Sequence, residues 1–157
     1  MGQKIKFFYA GGTIGMRAGK DNCLTAPRDD REFKAVVLPM IEQWQAENDV
    51  IIDYEFYTAK DSTNMNPDDW QALVYRVANA QHDAVAFAHG TDTLVYTAAA
   101  IGFGMHGKTS GKSALTIPVV FTGSQNPLSA FGGDGAFNLQ NLFRTAKAAI
   151  ENGIADV

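Results

Sequence analysis

Cysteine is nearly missing from this chain of 157 residues, which contains only Cys23. A single cysteine cannot form an internal disulfide bond, so the sequence excludes a small domain held together by disulfides. Cys23 lies among polar residues, and a lone thiol in such a setting is typical of a reducing compartment. We therefore expect the protein in the cytoplasm.

Long apolar segments are missing as well, since no run approaches the roughly 18 residues that a membrane-spanning helix needs. The apolar run near the amino terminus is short and stops at Gly11 and Gly12. This pattern predicts a first strand rather than a signal peptide. We expect no membrane partner.

Basic residues are too few for a nucleic-acid surface. The 13 Lys and Arg residues are outnumbered by 17 Asp and Glu, and the formal net charge is -4. Binding to phosphates draws its affinity from clustered Lys and Arg, so we expect no nucleic-acid partner. With 46% hydrophobic and 19% charged residues, the composition indicates a globular protein. The length suits one domain, residues 1–157, around one core.

Strand-like and helix-like segments alternate along the chain. Apolar, β-branched or aromatic runs at residues 5–10, 50–57, 84–88 and 117–122 predict strands, and amphipathic stretches at 30–47, 67–81, 93–105 and 135–152 predict helices. Strands that alternate with helices require crossover connections. The sequence therefore predicts an α/β domain with a mostly parallel sheet covered on both faces.

A polar, Gly- or Ser-rich segment follows each predicted strand, at residues 11–15, 59–64, 89–93 and 123–127. In open parallel sheets, ligands bind beyond the carboxyl ends of the strands, where the strand order reverses. We expect these four segments to meet at one crevice.

Single motifs have structural as well as functional interpretations. Gly11-Gly12-Thr13 after a strand is typical of a sharp turn, and its spacing is wrong for a dinucleotide site. Asp92 or Thr93 is suited to cap a helix, and His89 to bond the backbone of a turn. No His or Cys stands at metal-ligand spacing from His89, so we assign no metal and no cofactor.

Two further glycine-rich stretches are interpreted as connections. Residues 107–113 contain Lys and Ser near glycine, but their spacing is one residue short of a phosphate-binding loop, and they follow a helix and precede a strand. Gly132-Gly133-Asp134-Gly135 is interpreted first as a loop and the start of a helix, and only second as a ligand contact.

In combination and order, these segments resemble the L-asparaginase family. Gly-Gly-Thr-Ile-Gly contains Thr13, and His-Gly-Thr-Asp-Thr contains Thr91 and Asp92. Asp-Ser-Thr-Asn-Met at residues 61–65 and Thr-Gly-Ser-Gln-Asn-Pro at 122–127 follow the same family pattern. The resemblance runs from Lys4 to about residue 157 and is to the bacterial type I, cytoplasmic branch.

The resemblance implies a flavodoxin-like, three-layer α/β/α domain that hydrolyses L-asparagine to L-aspartate and ammonia. Thr13 would be the nucleophile, Thr91 the second catalytic threonine, and Asp92 the partner of the substrate ammonium. Further substrate contacts are implied for Gly12, Ser62, Thr63, Gly90 and Ser124, with Ser62 and Thr63 on the α-carboxylate and the Ser124 carbonyl on the amide nitrogen. The preference between asparagine and glutamine is left open.

Two departures from the family pattern shape the expectation. The family's lysine, in a Gly-Asn-Arg-x-x-Lys segment, would follow Val157, as would a carboxyl-terminal domain. Residues 17–27, where the family has a lid tyrosine, contain none. We therefore expect an amino-terminal domain alone, with weak or no turnover.

Two alternatives to an active asparaginase stay open. One is a non-catalytic module that binds asparagine or aspartate or serves as an interaction surface. The other is a glutaminase-like subunit of a tRNA amidotransferase. In either case, an exposed sheet edge would favour a homo-oligomer.

Overall fold

The structure, a computed structural model, describes residues 2–19, 21, 23–106 and 115–157. The stretch 107–113, interpreted from the sequence as a connection, lies outside the described residues. The strands are β1 (Gln3–Ala10), β2 (Arg17–Ala18), β3 (Leu24–Thr25), β4 (Val50–Thr58), β5 (Ala84–His89) and β6 (Val119–Thr122). The helices are α1 (Asp30–Asn48), α2 (Pro67–Ala78), α3 (Leu94–Gly104) and α4 (Gly135–Glu151).

The main sheet confirms the predicted α/β fold. Its strand order is β4-β1-β5-β6, and each neighbouring pair runs parallel. The chain leaves β1, adds β4 on one side, and returns to place β5 on the other side. The strand order therefore reverses at β1, and the loops beyond the carboxyl end of β1 lie at the switch point where such folds bind ligands.

The side chains of β1 alternate between two hydrophobic layers, as a strand buried on both faces requires. Phe7 and Tyr9 join the cluster that contains Phe33 of α1 and Phe143 of α4. Phe8 joins the other cluster, which α2 and α3 cover with residues such as Leu73 and Ile101. The helices thus form layers on both sides of the sheet.

The starts of α1 and α2 follow local capping rules. The Asp29 side chain accepts a hydrogen bond from the Glu32 amide at the start of α1. Asn66 and Asp69 form a reciprocal capping box at the start of α2, where Pro67 occupies the first turn.

Among the described helices, none is both long and apolar enough to cross a membrane.

Short elements connect the sheet to the helices. β2 and β3, strands of two residues each, pair antiparallel between β1 and α1. Single 3₁₀ turns at Thr13–Gly15 and Ser62–Asn64 directly follow the loops after β1 and β4. These turns place polar side chains at the carboxyl edge of the sheet.

Candidate active site

Two glycines after β1 allow the neighbouring loops to pack with almost no side chain between them. Gly11 and Gly12 have φ angles of 92° and 87°, in the region that favours glycine. A Cβ on Gly11 would lie 2.1 Å from the Lys60 carbonyl oxygen, and a Cβ on Gly12 would lie 2.4 Å from the Gly90 Cα. The loop after β1 is therefore in direct backbone contact with the loops after β4 and β5.

The same close packing continues through the other loops. A Cβ on Gly90 would lie 2.5 Å from Ser62 Oγ. A Cβ on Gly123 would lie 2.8 Å from both the His89 carbonyl oxygen and the Thr91 methyl group. All four segments expected from the sequence to meet at one crevice are thus linked by close contacts.

A cavity of about 220 Å³ opens where these loops meet. Gly12, Thr13, Ser62, Gly90, Thr91 and Asp92, all singled out in the sequence, line it together with Met16, Asp61 and Gln125. Thr63 and Ser124 lie beside it: the Thr63 hydroxyl donates to Asp61 Oδ1 at 2.8 Å, and the buried Ser124 hydroxyl donates to the Asn126 carbonyl at 2.6 Å.

In each of the four loops, a side chain donates a hydrogen bond to a backbone carbonyl. The Tyr9 hydroxyl donates to the Gly12 carbonyl at 3.3 Å, and the Thr93 hydroxyl donates to the Ser62 carbonyl at 2.8 Å. His89 Nδ1 lies 2.8 Å from the Gly90 carbonyl, and Asn138 Nδ2 donates to the Gly123 carbonyl at 2.9 Å. These bonds hold the backbone of the cavity in one arrangement.

Thr13, Thr91 and Asp92 differ from these anchoring residues. In the described parts of the chain, neither threonine hydroxyl has a hydrogen-bond partner, and the Asp92 carboxylate has neither a hydrogen bond nor an ion pair. Thr93, not Asp92, is the cap residue of α3, and its side chain makes no capping bond. The polar groups of Thr13, Thr91 and Asp92 therefore remain available to a ligand in the cavity.

The charge states around the cavity follow from local contacts. Two hydrogen bonds lower the pKa of Asp61: the larger effect comes from the Thr63 backbone N–H and the smaller one from the Thr63 hydroxyl. Burial lowers the pKa of His89, which keeps its ring neutral, and burial raises the pKa of Tyr9, which keeps its hydroxyl protonated. Negative charge at the cavity wall thus comes from Asp61 and Asp92, a setting suited to an ammonium group.

Sequence reasoning did not assign roles to several of these residues. Asp61 and Gln125 stood inside recognised motifs, whereas Met16 carried no motif signal. Tyr9 and Asn138 donate to backbone carbonyls of the site, and such bonds have no sequence signature. Thr93 was expected, with Asp92 as the alternative, to cap a helix; it is the cap residue of α3, but its hydroxyl donates to the Ser62 carbonyl instead. The buried His89 was expected to bond the backbone, and the structure shows this bond.

The family profile described as "Asparaginase, N-terminal" matches residues 4–157 of this chain. The chain belongs to the asparaginase family. Its resemblance to that family, seen first in the motifs, is thereby confirmed.

Relatives of this asparaginase-family chain share about a third of its residues. It is 33% identical over 140 residues to a glutamyl-tRNA(Gln) amidotransferase subunit of Aeropyrum pernix, an alignment that covers 87% of this chain and 30% of the relative. It is 31% identical over 146 residues to L-asparaginase 1 of Escherichia coli K12, covering 92% of this chain and 40% of the relative.

The fold also matches solved asparaginases. The crystal structure of L-asparaginase I from Vibrio cholerae aligns with a TM-score of 0.71 at 30% identity, covering 93% of this chain and 41% of that chain. The chain thus spans less than half the length of each of these three relatives.

Proposed function

We propose that this asparaginase-family domain hydrolyses the side-chain amide of L-asparagine to L-aspartate and ammonia, with L-glutamine as the second substrate to be tested. The observation that carries the proposal is the pair of threonine hydroxyls, Thr13 and Thr91, which line one cavity and lack a partner in the described chain. Membership in a family whose relatives include L-asparaginase 1 supports the same chemistry.

In the proposed reaction, Thr13 Oγ1 attacks the carbon of the side-chain amide. The carbon–nitrogen bond breaks, ammonia leaves with the proton given up by the Thr13 hydroxyl, and an ester to Thr13 remains. Water then hydrolyses the ester, which releases aspartate and restores the hydroxyl. A threonine hydroxyl is a weak nucleophile at neutral pH, so the reaction depends on stabilising the negative oxygen of the intermediate.

The other residues of the cavity would bind the substrate. Asp92, which lines the cavity and has no ion pair with the residues that the structure describes, would bind the α-ammonium group. Ser62 and Thr63 would fix the α-carboxylate, and the Ser124 carbonyl would accept from the amide nitrogen. The Thr91 hydroxyl and backbone N–H would stabilise the developing oxyanion, a contact typically worth about 2.7–4 kcal/mol of barrier for each donor. Gly12 and Gly90 leave room for the substrate beside the backbone.

Ammonia release from asparagine and from glutamine tests the assignment of Thr13. Thr13→Ala is expected to abolish turnover, and Thr13→Ser, which keeps a hydroxyl, to retain part of it. Thr91→Ala is expected to be nearly as damaging, because groups that act as one catalytic unit give losses that do not add. Thr116→Ala, at an exposed position outside the cavity, serves as the matched control. Unchanged turnover in Thr13→Ala would refute the assignment.

A binding module without turnover is the second candidate, since no lysine or tyrosine is among the described residues that line the cavity. Calorimetry with aspartate, combined with the ammonia assay, separates this function from catalysis. We expect aspartate to bind to the unmodified chain, and we expect the Asp92→Ala variant to lose this affinity. Binding without ammonia release would favour the module, and release of ammonia from glutamine alone would favour a glutaminase-type role.

The surface of α3 supports self-association. Val95, Tyr96 and Phe103 are 65%, 62% and 80% exposed. A shallow apolar depression of about 380 Å³ lies beside them, between α3 and Val157. Apolar side chains that cluster on a surface are typical of protein interfaces. We therefore propose a homo-oligomer, and we place the protein in a reducing compartment such as the cytoplasm because the Cys23 thiol is free and exposed.

A further inference from the structure

His89 is a fully buried titratable residue that the proposed reaction does not use. It is the last residue of β5, immediately before Gly90 and Thr91. Its Nδ1 lies 2.8 Å from the Gly90 carbonyl, and its Nε2 lies 3.0 Å from Thr97 Oγ1 on α3. Trp70 Nε1 on α2 in turn donates to Thr97 Oγ1 at 3.1 Å.

The hydrogen-bonding capacities of these groups fix the direction of the chain of bonds. A carbonyl oxygen only accepts, so His89 Nδ1 must carry the proton that bonds Gly90. In a neutral ring, Nε2 is then an acceptor, and the Thr97 hydroxyl must donate to it. The Thr97 oxygen remains free to accept from the Trp70 N–H, which can only donate. Each donor and acceptor in this series of hydrogen bonds therefore has one role that is consistent with its neighbours.

The Gly90 carbonyl and the Thr91 N–H belong to the same planar peptide unit. In a trans peptide, the C=O and N–H bonds point in opposite directions. Because the Gly90 oxygen is held against the buried His89 ring, the Thr91 N–H points away from that ring. Gly90 and Thr91 line the cavity, and the Thr91 N–H has no hydrogen-bond acceptor in the parts of the chain that the structure describes.

We propose that Trp70, Thr97 and His89 form a hydrogen-bond relay that positions the Thr91 backbone N–H as an oxyanion donor in the cavity. The relay connects α2 and α3 to the loop after β5, and none of its three residues needs to touch the substrate. They are positioning residues, and their effect on turnover rests on the proposed function, in which the Thr91 N–H stabilises the intermediate.

The first test observes the His89 ring by NMR in the full chain without ligand. Long-range proton–nitrogen correlations show which ring nitrogen carries the proton. Among the described residues, the side chains that make a hydrogen bond or an aromatic contact with the His89 ring are Thr97 and Phe121; both are uncharged, as is Trp70 beyond Thr97. We expect the Nδ1–H form to persist from about pH 8 down to pH 6.5, the ordinary pKa of histidine, because burial lowers the pKa of His89. A proton on Nε2, or a ring that becomes charged in this range, would overturn the relay.

The second test compares Thr97→Val with Thr97→Ser. Valine keeps the volume of threonine but removes the hydroxyl, whereas serine keeps the hydroxyl and loses the methyl group. We expect Thr97→Val to change the NMR chemical shift of the Thr91 backbone amide. We also expect it to lower kcat about tenfold or more, with KM nearly unchanged. Thr97→Ser is expected to restore both. A purely structural role for Thr97 would lower the stability of the variants without moving kcat or the Thr91 signal.

Two further arms keep the proposal open to refutation. If Thr97→Val does not fold, Trp70→Phe removes only the outermost donor and is expected to shift the Thr91 amide signal in the same direction by less. An unmoved Thr91 signal in a folded Thr97→Val or Trp70→Phe would refute the relay. If the unmodified chain releases no ammonia, the proposed function fails, but the His89 and Thr91 signals still decide whether the relay exists.

Discussion

At the scale of single residues, the hydroxyl of the buried Tyr9 and that of the half-buried Tyr54 each donate one hydrogen bond and can be compared. The Tyr9 hydroxyl donates to the Gly12 carbonyl at 3.3 Å, beside the cavity, and the Tyr54 hydroxyl donates to Asp30 Oδ1 at 2.9 Å, away from it. Each Tyr→Phe change is expected to lower the free energy of unfolding by about 0.5–1.5 kcal/mol, measured in urea.

The two variants should differ in function. Tyr9→Phe removes one of the two hydrogen bonds to the Gly12 carbonyl, which keeps its bond from the Gly15 backbone N–H at 3.2 Å. Because this carbonyl directly precedes Thr13, we expect ammonia release to fall by up to roughly tenfold. Tyr54→Phe should leave turnover as it is. Equal loss of turnover in both variants would show that general stability, not the Gly12 carbonyl, controls the site.

The sequence identified residues that line the cavity. Thr13, Thr91 and Asp92 stand in short motifs because each of these polar residues and the glycines that shape its loop are close together in the sequence. The anchoring residues could not be found in this way. Asn138, for instance, bonds a carbonyl 15 positions away, and only the packing of α4 against β6 brings the two together.

At the scale of elements, the contact between the loops after β1 and β5 depends on Gly12. We expect Gly12→Ala to lower the free energy of unfolding by about 3 kcal/mol or more, because left-handed strain adds to a clash with backbone atoms. Gly132→Ala is the control, since Gly132 has a φ of 70° but no atom within 4 Å of a built Cβ. Strain alone, about 1–2 kcal/mol, is expected there.

The loop between β6 and α4 is held by Asp134, whose carboxylate accepts hydrogen bonds from the backbone N–H groups of Gln125 and Asn126 at 2.9 and 2.8 Å. The Gln125 amide, with help from Asn126, lowers the pKa of Asp134 below its ordinary value of 3.8. The ionised carboxylate therefore stabilises the folded chain above that value, and this contribution disappears as the pH falls through the lowered pKa.

Asp134→Asn should accordingly be less stable than the unmodified chain at neutral pH, and the difference should shrink as the pH falls below the ordinary value of 3.8. Urea unfolding at each pH measures it. Glu42→Gln removes one negative charge at an exposed position of α1 and controls for net charge. A difference that stays constant with pH would exclude the carboxylate as its source.

The elements themselves were largely predictable from the sequence. All four strands of the main sheet and all four helices lie within three residues of their predicted ends, because their apolar runs are long enough to define a buried face. β2 and β3 were not predicted. Strands of two residues have no periodicity, and their pairing depends on the turn that joins them.

At the scale of the whole molecule, the exposed face of α3 determines the expected association. We expect sedimentation velocity to show a concentration-dependent shift toward a dimer or larger species. Phe103→Asp should weaken this shift by placing a charge on the apolar face. Phe131→Asp, at another fully exposed phenylalanine in the loop before α4, is the control. Sedimentation as a monomer at all concentrations would refute self-association through α3.

The close backbone contacts around Gly12, Gly90 and Gly123 also have a consequence for fluctuations. Segments without intervening side chains cannot open singly, since each one blocks the movement of the next. The four loops should therefore open as one cooperative unit, with a shared free energy of local unfolding. A ligand that contacts Thr13 and Asp92 alone would then slow amide exchange at Ser124 and Gln125 as well, because ordering any one loop restricts them all.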